Sequence, residues 1–256
     1  MNASAYPGWV VLHVPHDSDY IPPSVLSQFV LDEAALRREA IRMTDHRTFD
    51  LFRADRCQGR YARAGASRLV VDVERFADDA QEPMSGRGMG VIYTRTSDQQ
   101  PLRRALSKAE RSALLEAFYF PHHARLQALV DQSLKQWGRC LVLDCHSFPS
   151  RPLPYEHAQD TRRPDVCIGT DSFHTPKCLE DAFVTAFSAA GFSVAVNTPF
   201  AGALVPSRHY RRDDRVAAIM VEVNRRLYLD EESGVALPTF DQIAERIAGL
   251  CQLACG

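Results

Sequence analysis

The chain has 256 residues, 45% of them hydrophobic and 24% charged, with a formal net charge of −2. That balance excludes general disorder, and it lacks the basic excess that phosphate binding needs, so no nucleic-acid partner is expected. No apolar run approaches the roughly 18 residues of a membrane span, and Met1 to Gly8 carry no basic segment leading into an apolar one, so neither membrane insertion nor a secretory leader is expected. The seven cysteines are scattered, odd in number and without a CxxC pair. They predict reduced thiols in a cytoplasmic protein, not a disulfide framework or a cysteine-built zinc site. Without repeats or a Gly/Ser linker, the chain reads as one domain over residues 1–256.

In chain order, Trp9 to Val14 is an apolar run that stops at Pro15, a buried strand entering a loop. Asp32 to Arg53 has helical periodicity and opens on an Asp suited to N-capping. Arg68 to Val73 is β-branched and reads as a strand; residues 77–90 read as a loop, and Val91 to Thr94 as a short strand. Ser107 to Trp137 reads as a long helix opening on a capping box (Ser107, Glu110), with Pro121 bending or interrupting it. Cys140 to Cys145, Val166 to Gly169, Phe192 to Val196 and Val216 to Val223 are expected strands. Leu179 to Ala190, stopped by Gly191, and Phe240 to Cys255 are expected helices. Strands alternating with helices predict an α/β sheet with helices on both faces and a ligand site beyond the strand ends.

Polar residues gather at those ends. His13-Val14-Pro15-His16-Asp17-Ser18-Asp19 closes the first strand, Thr44-Asp45-His46 lies in or after the first helix, and Asp144-Cys145-His146-Ser147 closes a buried strand. A catalytic zinc keeps about three imidazole or carboxylate ligands and leaves a position for water. A single strand-end histidine is more often a capping or satisfied surface group; two, each beside a carboxylate, are harder to dismiss. Asp144 is placed to orient the His146 imidazole. Glu222, inside Ala217–Val223, is either simple alternation on a half-exposed strand or a buried general base. Arg68, Arg75 and Arg208 offer forks suited to a carboxylate, although most arginines are solvated. Arg68 and Arg75 would point to opposite faces of a regular strand, and reach one site only if the chain bends after Glu74.

In order along residues 10–230, the motifs HVPHDSDYIPP, MTDHRTFDLF, SRLVVDVERF, PHHARL, LDCHS, SRHY and VEVNRRLY resemble the N-formylglutamate amidohydrolase family. That family is similar to the zinc carboxypeptidases and aspartoacylase. The resemblance implies a phosphorylase/hydrolase-like α/β fold with a mixed central sheet, and Zn2+ or another divalent cation as cofactor. It implies His16, Asp45 and His146 as ligands, with Asp19 as a competing carboxylate because His16-x-x-Asp19 echoes the carboxypeptidase HxxE pair. Glu222 matches the general base and proton shuttle. Arg68 matches a group that polarises the scissile carbonyl, Arg75 the arginine that grips a substrate carboxylate, and Arg208 and His209 further substrate contacts. His123 matches a helix histidine without a derivable role. The implied substrate is a small acidic N-acyl amino acid, best matched by N-formyl-L-glutamate.

Two departures bear on that substrate. The family's DLNR reads Asp72-Val73-Glu74-Arg75, exchanging a donor and acceptor for an acceptor-only carboxylate that disfavours a second substrate carboxylate. The loop holding Glu82, Met84 and Gly86 also differs. The rival readings are another N-acyl amino acid hydrolase or small zinc carboxypeptidase, a non-catalytic metal- or ligand-binding relative, and a cysteine hydrolase using Cys145. Adjacent strand residues face opposite ways, which places Cys145 and His146 poorly for proton transfer.

Overall fold

The computed structural model describes residues 5–256, so the amino-terminal part of the leader expectation, residues 1–4, lies outside them. One sheet contains β1 (Val10–Val14), β2 (Tyr61–Arg63), β3 (Cys140–Phe148), β4 (Val166–Gly169), β5 (Val194–Val196) and β6 (Val216–Asn224), in the order β2-β1-β3-β6-β4-β5. The β2, β1, β3 and β6 strands run parallel, β4 is antiparallel to β6, and β5 is parallel to β4. The mixed sheet of the expected α/β fold is therefore present. No helix among the described residues is long and apolar enough to cross a membrane.

The helices are α1 (Glu33–Met43), α2 (Thr48–Leu51), α3 (Lys108–Leu114), α4 (Phe120–Trp137), α5 (Lys177–Ala189) and α6 (Phe240–Ala254). On one face of the sheet, Leu126, Leu129 and Val130 of α4 pack on Val11, Val142 and Ala218. On the other, Leu51 of α2, Phe183 and Phe187 of α5 and Ile247 of α6 pack on Leu12, Leu143, Cys145, Ile219 and Val221. Side chains alternate across a strand, so Cys145 enters that second core and Asp144 and His146 stay on the α4 face. Both faces of β3 are covered, which is why its nine residues are all buried and why it opens on the apolar run Cys140–Leu143. A third apolar cluster, joining α1 to Leu69–Val71, Met89–Tyr93 and Leu102, packs Arg68–Arg75 beside the strand ends.

Four expected elements differ. Arg68 to Val73 is not a strand: the Ser67 carbonyl accepts the backbone N–H groups of Val70 and Val71, closing a turn, and the Arg103 guanidinium takes the Leu69 and Val70 carbonyls that a neighbouring strand would have used. Val91 to Thr94 is likewise irregular, with the Thr94 N–H bonded back to Gly88. Asp32 caps α1 by accepting the Ala35 N–H at 2.7 Å, but the helix stops at Met43, since Thr44 is extended and Arg47 is left-handed at φ 62°. The Ser107 to Trp137 helix keeps its capping box but widens into a π-helical turn at Leu115–Tyr119, one turn before Pro121, which has no N–H to give.

Candidate active site

The loop after β1, the break after α1 and the end of β3 meet at one point. Parallel register sets His13 beside Asp144 and His146 beside Glu222. Pro15 ends β1, and the following His16 accepts the Asp45 N–H on its carbonyl at 2.9 Å, tying two distant segments together. Asp45 Oδ2 lies 3.1 Å from His146 Nδ1 and 3.7 Å from His16 Nδ1, and the two imidazole centroids are 5.2 Å apart. All three residues are buried. His16 Nδ1 has no hydrogen-bond partner among the described residues. A buried lone pair left unused costs free energy unless something else takes it, and two imidazoles with one carboxylate form the donor set of an open divalent-cation site. Burial alone would raise the Asp45 carboxyl; the adjacent His146 and His16 imidazoles and the Arg225 guanidinium reverse this and hold it well below the usual carboxylate range.

A second layer fixes these groups. Asp72 is ionised and only accepts, so the His16 nitrogen 2.8 Å from it, Nε2, carries a proton and Nδ1 is the nitrogen left to offer a lone pair to a cation. Asp72 also takes Arg68 Nη2 at 2.8 Å, the Glu74 N–H at 3.0 Å and the Tyr93 hydroxyl. Arg225 donates to Asp45 Oδ1 at 2.8 Å, to Ser147 Oγ and to the Arg42 carbonyl. His146 Nε2 stands 3.0 Å from Asp144 Oδ1 and 3.1 Å from Glu74 Oε1. Asp72 and Arg225 stand inside motifs legible in the sequence, but only their cross-chain partners assign them a task. Nothing in the local pattern marks Tyr93, and His122 stands inside the PHHARL motif without a task of its own.

The cluster opens into a cavity of about 250 Å³, whose wall includes Glu222, Arg68, Arg75, Glu74 and Tyr155. Glu222 is buried, its Oε2 has no partner among the described residues, and burial pushes its pKa up to about 8, with His146 opposing the shift and Asp45 and Glu74 adding to it. Arg68 is oriented by Tyr93 and Asp72. Arg75 has its nearest acids at 3.6 Å (Asp72) and 4.0 Å (Glu82), and its buried Nε makes no hydrogen bond among the described residues. Because residues 68–73 form a turn instead of a strand, both arginines face the same cavity.

Other expected contacts lie elsewhere. Arg208 and His209 are outside this cavity: after Pro206 their segment turns onto α4, where His209 is held by Asp131 at 2.9 Å and Gln127 at 2.8 Å, and Arg208 points to solvent. Asp19 is exposed and does not join the ligand group. Cys145 is buried in the opposite core, where burial raises its pKa well above the usual thiol range. His123 gains a role from the fold: Nε2 bonds the Val73 carbonyl at 2.8 Å, bracing the Asp72–Arg75 segment. Burial pushes the neighbouring His122 imidazole down to about 2, with His13 and His123 adding to the shift.

The model of the N-formylglutamate amidohydrolase family matches residues 9–229. N-formylglutamate deformylase of Pseudomonas aeruginosa is 28% identical over 239 residues, covering 89% of this chain and 84% of that protein. The crystal structure of N-formylglutamate amidohydrolase from Ralstonia eutropha JMP134 has the same fold, with a TM-score of 0.77 at 21% identity over 97% of this chain and 92% of that one. A gene product of Agrobacterium tumefaciens superposes with a TM-score of 0.67, also at 21% identity, over 97% and 90% of the two chains.

Proposed function

The chain belongs to the N-formylglutamate amidohydrolase family, and on that premise we propose that it hydrolyses the formamide bond of N-formyl-L-glutamate to formate and L-glutamate, with zinc or another divalent cation held by His16, Asp45 and His146. One observation carries the reading. The unpartnered, buried His16 Nδ1 and Glu222 Oε2 border one cavity together with Asp45 and His146. When bound, the cation supplies Lewis acidity, which lowers the pKa of water and polarises a carbonyl.

The side chains divide the remaining work. Glu222 accepts the proton of the attacking water and delivers it to the departing amine nitrogen. A carboxyl raised toward neutrality suits both transfers. Arg68, already oriented by Asp72 and Tyr93, sets a fixed positive charge against the negative charge that grows on the formamide oxygen. The guanidinium of Arg75, with no hydrogen-bonded partner among the described residues, takes a carboxylate of the glutamate moiety. In this reading Arg208 and His209 make no contact with the substrate, because they border a separate surface depression.

Formate release from N-formyl-L-glutamate by the zinc-loaded protein tests the proposal, alongside N-acetyl-L-aspartate and short acidic peptides. The formyl substrate should be preferred, and a chelator should abolish turnover until zinc is restored. Glu222→Gln should keep its zinc and lose about 100-fold or more of kcat. Wild-type rates in that variant remove Glu222 from the reaction, and zinc binding without turnover of any substrate reduces the protein to a binding relative.

A further inference from the structure

Behind the candidate cation site lies a buried chain of imidazoles that the proposed hydrolysis does not use. His13 Nδ1 stands 2.7 Å from Asp144 Oδ1, the same oxygen that lies 3.0 Å from His146 Nε2. At its other end, His13 Nε2 stands 2.8 Å from His122 Nε2. Asp144 Oδ2 accepts the Leu204 N–H at 3.0 Å, so the carboxylate cannot turn away. His13 is 0% and Asp144 1% exposed, and Asp144 pairs with imidazoles alone among the described residues, so no lysine or arginine does this work.

Two arrangements fit these atoms. His13, Asp144 and Glu74 lie close enough to hold a second cation. Ligands on one tetrahedral zinc, however, sit about 3.3 Å apart, given bonds of about 2.0–2.1 Å. The 2.7 Å between His13 and Asp144 is a hydrogen-bond distance, whereas Asp45 Oδ2 stands 3.1 and 3.7 Å from its two imidazoles, on either side of the coordination value. An ionised carboxylate only accepts, so both nitrogens facing Asp144 Oδ1 carry protons. With Nε2 facing Asp144, Nδ1, the atom beside Asp45, is the nitrogen left to offer a lone pair to a cation.

We propose that His13 and His122 are positioning residues: they hold Asp144, and through it His146, in the tautomer and orientation that offer Nδ1 to the cation. The inference rests on the reading of His16, Asp45 and His146 as a cation site. Cobalt(II) titration of the full chain against a chromophoric chelator, with the cobalt absorption bands and the metal-free Tm recorded, tests it. His13→Leu keeps the volume and removes both hydrogen bonds. It should weaken cobalt binding about 10–100-fold and shift the bands. His13→Asn, whose amide nitrogen replaces Nδ1, should recover most of the affinity, and His122→Leu should fall between. A purely structural role would lower the metal-free Tm and leave affinity and bands alone, and that result overturns the proposal. So does a wild type binding two cobalt ions that falls to one in His13→Leu, since His13 would then be a ligand. Should His13→Leu fail to fold, His122→Leu carries the same comparison. A wild type that takes up no cobalt overturns the cation reading and this inference with it, whereas one tightly bound ion with no loss in either leucine variant sinks only this inference.

Discussion

Two arginines on one cavity wall are prepared for different work. The Arg68 guanidinium is spent on Asp72 and Tyr93, so it is a fixed charge; Arg75 has acids no nearer than 3.6 Å and no hydrogen-bonded partner among the described residues, so its fork can still take a carboxylate. A charge-assisted hydrogen bond contributes about 1.5–3 kcal/mol. Arg75→Met should therefore raise KM for N-formyl-L-glutamate by about 10–150-fold with a smaller change in kcat, measured by formate release. An unchanged KM would mean that the carboxylate is held by another group. His123 offers a pH signature in stability. Burial pushes its pKa down to about 4, so the folded state favours the neutral imidazole that bonds the Val73 carbonyl. A depressed pKa gives a contribution that is complete above the unfolded value of about 6.5 and is lost as pH falls through the folded value. His123→Gln, which cannot titrate, should flatten part of the stability loss between about pH 6.5 and pH 4 in urea unfolding. Equal slopes for variant and wild type would show that the imidazole is not buried neutral.

Between elements, the close approach of β4 to the loop over the cavity is what a substitution would disturb first. A Cβ added at Gly169 would stand 2.3 Å from the Gly202 carbonyl oxygen and 2.3 Å from Met220 Cε. The adjoining Pro199–Ala201 segment lines the cavity. Gly169→Ala should cost about 1–3 kcal/mol, as overpacking does, and raise KM by moving that wall. Urea unfolding at wild-type midpoint with unaltered KM would mean that the loop yields freely. Elements of this kind were legible where one local pattern decides the structure: β1, β3, β4 and β6 are apolar runs covered on both faces, and the Ser107 capping box starts α3 where its spacing says. Arg68 to Val73 misleads because its backbone partners are a turn and the side chain of Arg103, 33 and 34 residues away. The same irregularity turns Arg68 and Arg75 to one cavity, an outcome that strand alternation forbids. The gathering of His16, Asp45 and His146 followed from motif resemblance, and the geometry brings them together. Arg208 and His209 share that source of expectation, but the turn after Pro206 carries them onto α4. His13 and His122 stand in motifs, but their pairing escapes local reading because the hydrogen bond spans 109 residues.

For the whole molecule, the candidate cation would act as a cross-link. Its three ligands come from the loop after β1, the break after α1 and the end of β3, segments that an unfolded chain does not hold together. Binding to such a set is folding free energy, because the native state alone presents it. At a free concentration one hundredfold above its Kd, a ligand that binds only the native state stabilises it by about 2.7 kcal/mol. For a chain of this size each kcal/mol moves Tm by about 2–4 °C, so zinc should raise the wild-type Tm by about 5–10 °C. His16→Ala removes the proposed ligand and also leaves Asp72 without one partner, so its metal-free Tm will fall for a reason unconnected with zinc. The informative quantity is therefore the difference with and without zinc within each protein, read by scanning calorimetry. That increment should be large in wild type and close to zero in His16→Ala. Asp19→Ala, which alters an exposed carboxylate outside the ligand group, should keep the full increment. An increment lost with Asp19 and retained without Asp45 would move the acidic ligand to the HxxD position, and a wild type indifferent to zinc, cobalt and manganese would take the cation out of the reaction altogether.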